Sequence, residues 1–270
     1  MKDTILEGPC ETVLKSVPSE HARLCFADPP FNLQKVYGGT FDDNLPDKDY
    51  WAWARQWLRQ LKRICARNGH IAVMCHWTQQ HKFTWYMERI LSPEYYHRQT
   101  IQYNYEGRTM GTLLKYAHQP IILFSSNHRK GFPNCVWSLD AVRLPHNHSQ
   151  FAPRSDQTKR GNPLGRNPTD VWKIEMVLRS TDRIRHPLLG QHPCQAPEEI
   201  TDRLVQLCTR PYDLVLDPFG GTGTTAVSAK RYGRHYLLVE LESSWAVMAQ
   251  ERIAKVIPVD TSRKTLTDYF

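Results

Sequence analysis

A chain of 270 residues, 40% of them hydrophobic, can fill one large α/β domain or two small ones, and length alone does not choose. No apolar run approaches the roughly 18 residues a membrane-spanning helix needs. The start, Met1-Lys2-Asp3-Thr4-Ile5, has no apolar core of a secretory signal.

The seven cysteines, at 10, 25, 65, 75, 135, 194 and 208, are odd in number, dispersed and without a C-x-x-C pair. That pattern predicts reduced thiols in a cytosolic protein rather than disulfides or a zinc site. Twelve histidines raise the metal question again, but no H-E-x-x-H occurs and His146 and His148 lie in a loop-like stretch, so no metal is expected. The formal charge is +8. Residues 141–190 hold nine Lys or Arg (143, 154, 159, 160, 166, 173, 179, 183, 185) against four acids, so most of the excess falls there. A solvated basic face is the plain explanation. Concentration in one irregular segment points instead to a polyanionic partner.

In chain order, short apolar strands alternate with amphipathic helices, the mark of a mostly parallel sheet. Thr4–Leu6 and Leu24–Ala27 read as strands. Residues 47–66 place Tyr50, Trp53, Trp57, Leu58, Leu61 and Ile64 at helical spacing. His70–Cys75 reads as a buried strand, 78–91 as a helix, and Gln99–Tyr103 with Pro120–Phe124 as paired strands near a sheet edge. From 126 to 190 periodicity disappears amid six prolines, and an irregular stretch of that length is functional rather than a connector. Order returns with a helix at 196–209, the strand Leu214–Leu216, a helix at 222–232, the strand Tyr236–Val239 and a helix at 243–256.

Leu214-Val215-Leu216 runs into Asp217-Pro218-Phe219-Gly220-Gly221-Thr222-Gly223-Thr224-Thr225, a strand–turn–helix context in which a glycine-rich loop binds a nucleotide-like ligand. Gly220, Gly221 and Gly223 are expected to allow close approach and positive φ, and Thr222 to cap the helix. The segment is neither G-x-G-x-x-G nor a Walker loop. It delivers a carboxylate where a phosphate binder wants a cation, which suits a cationic, amino-bearing ligand. Glu240, at the tip of the next strand, is placed to accept hydrogen bonds from ribose hydroxyls.

The strand Leu24–Ala27 ends in Asp28-Pro29-Pro30-Phe31. Two prolines after a strand can be no more than a rigid exit from the sheet. The chemistry of amine methylation supplies a sharper reading. An exocyclic amine on a base has its lone pair conjugated into the ring. Asp28 and the Pro29 carbonyl, both accepting its N–H groups, would localise that pair, while Phe31 offers a surface for an extruded base. Positioning then does most of the work.

These segments resemble the β-group DNA amino-methyltransferases, which carry a D/S-P-P-Y/F motif ahead of the cofactor loop, and the resemblance spans nearly the whole chain. His192-Pro193-Cys194-Gln195-Ala196-Pro197 is similar to the family's H-P-x-Q-x-P segment, and Asn167-Pro168-Thr169-Asp170-Val171-Trp172 to its P-x-D-V-W stretch. Ile5-Leu6-Glu7-Gly8 resembles the N-terminal strand and turn, with Pro9 where an acid is usual.

The resemblance implies an α/β fold: a Rossmann-like, seven-stranded methyltransferase sheet, circularly permuted. Its catalytic half would be 1–125, an irregular target-recognition insert 126–190, the cofactor half 191–257 and a tail 258–270. It implies S-adenosylmethionine as cofactor, bound by Asp217, Phe219, Gly220, Gly221, Gly223, Thr224, Thr225, Glu240, His192 and Gln195 and bordered by Asp28. Asp28, Pro29, Pro30 and Phe31 would carry catalysis. Arg143, Arg154, Lys159, Arg160 and Arg166 would meet double-stranded DNA. A homodimer and a cognate restriction endonuclease stay open as partners.

The expected activity is site-specific methylation of adenine N6 in double-stranded DNA with base flipping. Asp at 28 favours adenine, because cytosine-N4 enzymes of the group usually carry Ser there. Cytosine N4 is the alternative within the fold. RNA adenine enzymes tend to have Trp at the Phe31 position, and protein-glutamine and ribosomal-RNA guanine enzymes place Asn-Pro-Pro-Tyr after the cofactor loop. A non-catalytic, DNA-binding partner subunit is the alternative of a different class.

Overall fold

The computed structural model describes residues 1–34, 36–37, 41–105, 114, 116–131, 133–145, 162–177 and 194–259. The chain runs β1 (Thr4–Glu7), α1 (Cys10–Val13), β2 (Ala22–Ala27), the hairpin β3 (Val36–Tyr37) and β4 (Phe41–Asp42), then α2 (Asp47–Ile64) and β5 (Cys65–Met74). It continues with α3 (Gln80–Leu91), β6 (Tyr95–Asn104), β7 (His118–Ser126), β8 (Val171–Lys173), α4 (Glu198–Cys208) and β9 (Leu214–Asp217). α5 (Thr224–Arg231), β10 (His235–Glu240) and α6 (Ser243–Ala254) complete it.

Eight strands form one sheet in the order β1-β10-β9-β2-β5-β7-β6-β8. Pairing is parallel from β1 through β5, antiparallel at β5–β7 and β7–β6, and parallel again at β6–β8. The strands alternate between faces because side chains repeat every two residues. Cys25 and Ala27 of β2 join one core with Tyr50, Trp57 and Leu61 of α2 and Phe83 and Met87 of α3. Leu24 and Phe26 join the opposite core with Ile200, Leu204 and Val205 of α4. Helices on both faces of a mostly parallel sheet make an α/β/α sandwich.

The sheet has one strand more than the expected seven, and that strand lies inside the stretch read as irregular. β8 pairs along Gln102–Asn104 at the sheet edge. Trp172, its middle residue, is buried, and its indole donates to the Thr169 carbonyl at 3.0 Å. Three residues between prolines and loops give no periodicity to read. The described part of 126–177 is also tied to the sheet from the other side. Burial drives the His70 ring down to a pKa of about 4, and this neutral ring donates from Nε2 to the Val136 carbonyl at 2.6 Å.

Candidate active site

The crossover that follows β9 leads through α5 to β10, while the one that follows β2 leads through α2 to β5 on the other side. β2 and β9 are neighbours, so the strand order reverses between them. In open α/β sheets the crevice beyond the carboxyl ends of such a strand pair is the binding site. Cys25 stands opposite Leu216, so the chain leaves these adjacent parallel strands at the same end of the sheet, into Asp28 from β2 and into Pro218–Phe219 from β9. The two sequence motifs are thereby brought together at the switch point.

The exit from β2 is held rigidly. Pro29 and Phe31 are buried, and Asp28 is partly exposed. Tyr50 donates its hydroxyl to the Pro30 carbonyl at 2.8 Å, and burial keeps that phenol well above its usual pKa and hence neutral. Gln79 Nε2 donates to the Phe31 carbonyl at 2.6 Å. Asn32 has a positive φ of 57°, and the buried Asp43 pins the turn by accepting from the Asn32 and Leu33 N–H groups at 2.7 and 3.0 Å. The Pro30 and Phe31 carbonyls are thus taken by the protein, whereas among the described residues no donor meets that of Pro29. The Phe31 ring lies 6.4 Å from that of His76, which in turn meets Tyr116 edge-on at 5.8 Å.

The glycine loop is organised from below by two buried carboxylates. Asp217 accepts from the Phe219 N–H at 2.8 Å and from the Thr225 hydroxyl at 2.6 Å, and burial lifts its pKa to about 6. Glu240 accepts from the Gly221 N–H at 2.6 Å and the Glu242 N–H at 2.9 Å, and its pKa is likewise raised by burial. Phe219 is clasped by two α2 indoles, Trp53 at 5.6 Å and Trp57 at 5.3 Å between ring centres. The β1 turn closes the far side, with the Gly8 N–H on the Glu240 carbonyl at 2.9 Å.

Two local expectations differ from the structure. The helix is capped by Gly223, in the left-handed region at φ 82°, and not by Thr222. The Thr222 hydroxyl instead accepts from Arg252 Nη1 at 2.8 Å, and its carbonyl accepts from the same nitrogen at 2.6 Å. Of the three glycines, Gly221 and Gly223 have positive φ. Gly220 is needed for closeness: a Cβ there would stand 3.1 Å from Leu238 Cβ and 3.3 Å from the Val239 carbonyl oxygen.

Thr224 and Thr225 are both buried, and Gln195 is half-buried just ahead of α4. Arg143 is spent on the protein: its guanidinium bonds Asp140, the Gly165 carbonyl and Asn167 Oδ1 at 2.5, 3.0 and 2.7 Å. Arg166 is exposed. His192, Arg154, Lys159, Arg160 and residues 260–270 lie outside the described residues.

Sequence reasoning missed Tyr50, Gln79, Asp43 and Arg252. Tyr50 was visible only as part of an apolar stripe, and the others hold a loop through partners 11 to 48 residues away, a distance no local pattern reports. Among the described residues no three His, Cys, Asp or Glu side chains gather where they could hold a metal ion. No helix among them is long and apolar enough to cross a membrane.

A family model described as DNA methylase, of the N6 and N4 amino-methyltransferases, matches residues 22–251. The chain belongs to that family. Its relatives include the type II methyltransferase M.HpaI of Haemophilus parainfluenzae, 29% identical over 89% of this chain and 70% of that protein. M.ScaI of Streptomyces caespitosus is 27% identical over 92% of this chain and 80% of its own. Among solved structures, the cytosine-N4-specific PvuII DNA methyltransferase superposes with a TM-score of 0.66 at 18% identity, over 99% of this chain and 91% of that one. TTHA0409 of Thermus thermophilus, solved in complex with S-adenosyl-L-methionine, gives 0.60 at 20% identity, over 94% of each. These likenesses are of fold.

Proposed function

We propose that this DNA methylase transfers a methyl group from S-adenosylmethionine to N6 of adenine in double-stranded DNA, with the target base flipped out of the helix. The observation that carries the reading is the placement of Asp28 beside the glycine loop, at the same end of adjacent parallel strands. Strand spacing of about 4.8 Å puts a ligand cradled by Gly220–Gly223 next to whatever Asp28 grips.

The residues fit the donor. Gly221 and Gly223 take the positive φ that the tight loop requires, Glu240 offers a carboxylate at the adjoining strand tip, and no phosphate-binding lysine stands in the loop. Bound S-adenosylmethionine supplies an electrophilic methyl group on a sulfonium. The protein's part is orientation. Asp28 and the Pro29 carbonyl accept the two amine N–H bonds and aim the nitrogen lone pair at the methyl carbon. Asp28, the carboxylate held next to that nitrogen, would also take the proton the amine sheds on methylation. Phe31 stacks on the base. Arg154, Lys159, Arg160 and Arg166 are proposed to meet DNA, whereas Arg143 braces the segment that carries Arg166.

Adenine is favoured by the carboxylate at position 28. The test is methyl transfer from labelled cofactor to unmethylated bacterial DNA, followed by nucleoside analysis. Label in N6-methyladenine supports the proposal, label in N4-methylcytosine replaces adenine by cytosine, and DNA binding without label leaves a partner subunit. Asp28→Ala should lower transfer by about 100-fold or more with cofactor affinity within a few-fold. Loss of cofactor binding instead would overturn the division of labour between the two motifs.

A further inference from the structure

One buried polar atom toward the open end of the sheet has no role in the assembly described so far. Tyr103, on β6, is 2% exposed, yet among the described residues its hydroxyl has no hydrogen-bond partner. A buried phenol without a partner is costly, and native interiors rarely keep one unless something else completes it.

Its location follows from the register. Tyr103 pairs with Gln119, and Met74 with Ile121, while Ala27 pairs with Val73. Counting outward along these rows, Tyr103 stands two residues beyond the level of Asp28, at the open end of the sheet. It belongs to the same core face as Leu24, Phe26 and Met74. Continuing the alternation of β2 puts Asp28 on that face too. Burial, Tyr105 and then the Asp28 carboxylate together hold the phenol above its usual range, which keeps it a protonated donor and places Asp28 within electrostatic reach. Tyr105 lies 5.2 Å from the Tyr103 ring. With Phe31, His76 and Tyr116, these rings make an aromatic wall along the crevice.

We propose that the Tyr103 hydroxyl is a substrate contact that donates to the ring nitrogen next to the exocyclic amine of the flipped base. This rests on the amino-methylation proposed above. The chemistry of the bases gives the contact its meaning. Adenine N6 has the acceptor N1 beside it, and cytosine N4 has N3. Guanine and thymine show a ring N–H at the corresponding edge. A protonated phenol on the same face of the sheet as Asp28, and within its electrostatic reach, therefore favours adenine and cytosine, whose Watson–Crick edges set an amine next to an imine nitrogen. It selects the class and leaves adenine against cytosine to other contacts.

Tyr103→Phe tests this with the full chain, because it deletes one oxygen and keeps the ring. The readouts are thermal unfolding, cofactor affinity, and steady-state transfer to unmethylated genomic DNA at saturating cofactor. Since the oxygen has no partner among the described residues, the variant should unfold at the wild-type temperature or above it. Cofactor affinity should stay within twofold, while kcat/KM for DNA falls about tenfold, the worth of one neutral hydrogen bond at the upper end of its range. Transfer equal to wild type overturns the inference. So does a lowered unfolding temperature in parallel with lost transfer, which would make the hydroxyl structural. Wild-type protein that transfers no label to DNA refutes the amino-methylation reading itself, whatever Tyr103→Phe does.

Discussion

Arg252 offers the most demanding test of how the cofactor loop is held. It lies on α6, is 4% exposed, and spends both ends of its guanidinium. Nη1 donates to the Thr222 carbonyl and hydroxyl at 2.6 and 2.8 Å, and Nη2 to Glu198 Oε1 at 2.7 Å. Burial raises the Glu198 carboxyl, but Arg231 and Arg252 more than offset this and hold it below its usual range. Replacing Arg252 by Met keeps the volume and removes the fork. The Thr222 carbonyl and hydroxyl then lose their donor, at about 1–3 kcal/mol for each buried group left unsatisfied. Breaking a buried ion pair costs about 3–5 kcal/mol, but Glu198 is 35% exposed and keeps Arg231, so only a fraction of that applies. The sum is about 3 kcal/mol, or a fall of roughly 6–12 °C in unfolding temperature for a domain of this size. Cofactor affinity, measured by calorimetry on the folded variant, should weaken about tenfold because the loop backbone is no longer fixed at Thr222. Arg252→Lys should recover part of one interaction but not both, since a point charge lacks the fork. If Arg252→Met melts within about 2 °C of wild type and binds cofactor normally, the loop is held by something else, and the guanidinium is merely accommodated.

Asp217 gives a pH signature. Its folded pKa of about 6 lies above the unfolded carboxylate value, so the stability it contributes is present in acid and is lost as pH rises through the folded value. Against Asp217→Asn, which does not titrate, urea unfolding should show the wild type losing up to about 3 kcal/mol between pH 4 and 7. A difference independent of pH would refute the assignment. Gly223→Ala should cost about 3 kcal/mol by denaturant unfolding, combining about 1–2 for the left-handed backbone with overpacking. A Cβ there would lie 2.8 Å from Ala249 Cβ, and a variant as stable as wild type would mean α6 moves away freely.

The parts of this fold that could be read from sequence are those written in short-range pattern. β2 is legible because Leu24 and Phe26 face one core and Cys25 and Ala27 the other. α2 is legible because its indoles and leucines recur at helical spacing. β5 shows where pattern fails. The helical spacing over 47–66 and the strand pattern from His70 leave 67–69 between them, yet the strand begins at Cys65 and runs through these residues. The structure tolerates this with a register shift opposite Ala22–Leu24 and a glycine at 69, where a Cβ would come within 2.7 Å of the Arg23 carbonyl. The site divides in the same way. Asp28 and the glycines were found because strand-end chemistry has a local signature. Charge counting registered Arg143 as a cation but could not show that Asp140, Gly165 and Asn167 surround it. Tyr103 lay in plain view inside a recognised strand. Only the parallel and antiparallel rows linking it through β7, β5 and β2 put it on the Asp28 face of the sheet, two residues beyond the Asp28 level, and sheet order is not a property of any one strand. What the sequence states directly is therefore the pair of local motifs on which the proposed methyl transfer rests. The proposed grip on the base depends instead on long-range pairing, and Tyr103→Phe separates the two, because it leaves Asp28 and the glycine loop untouched.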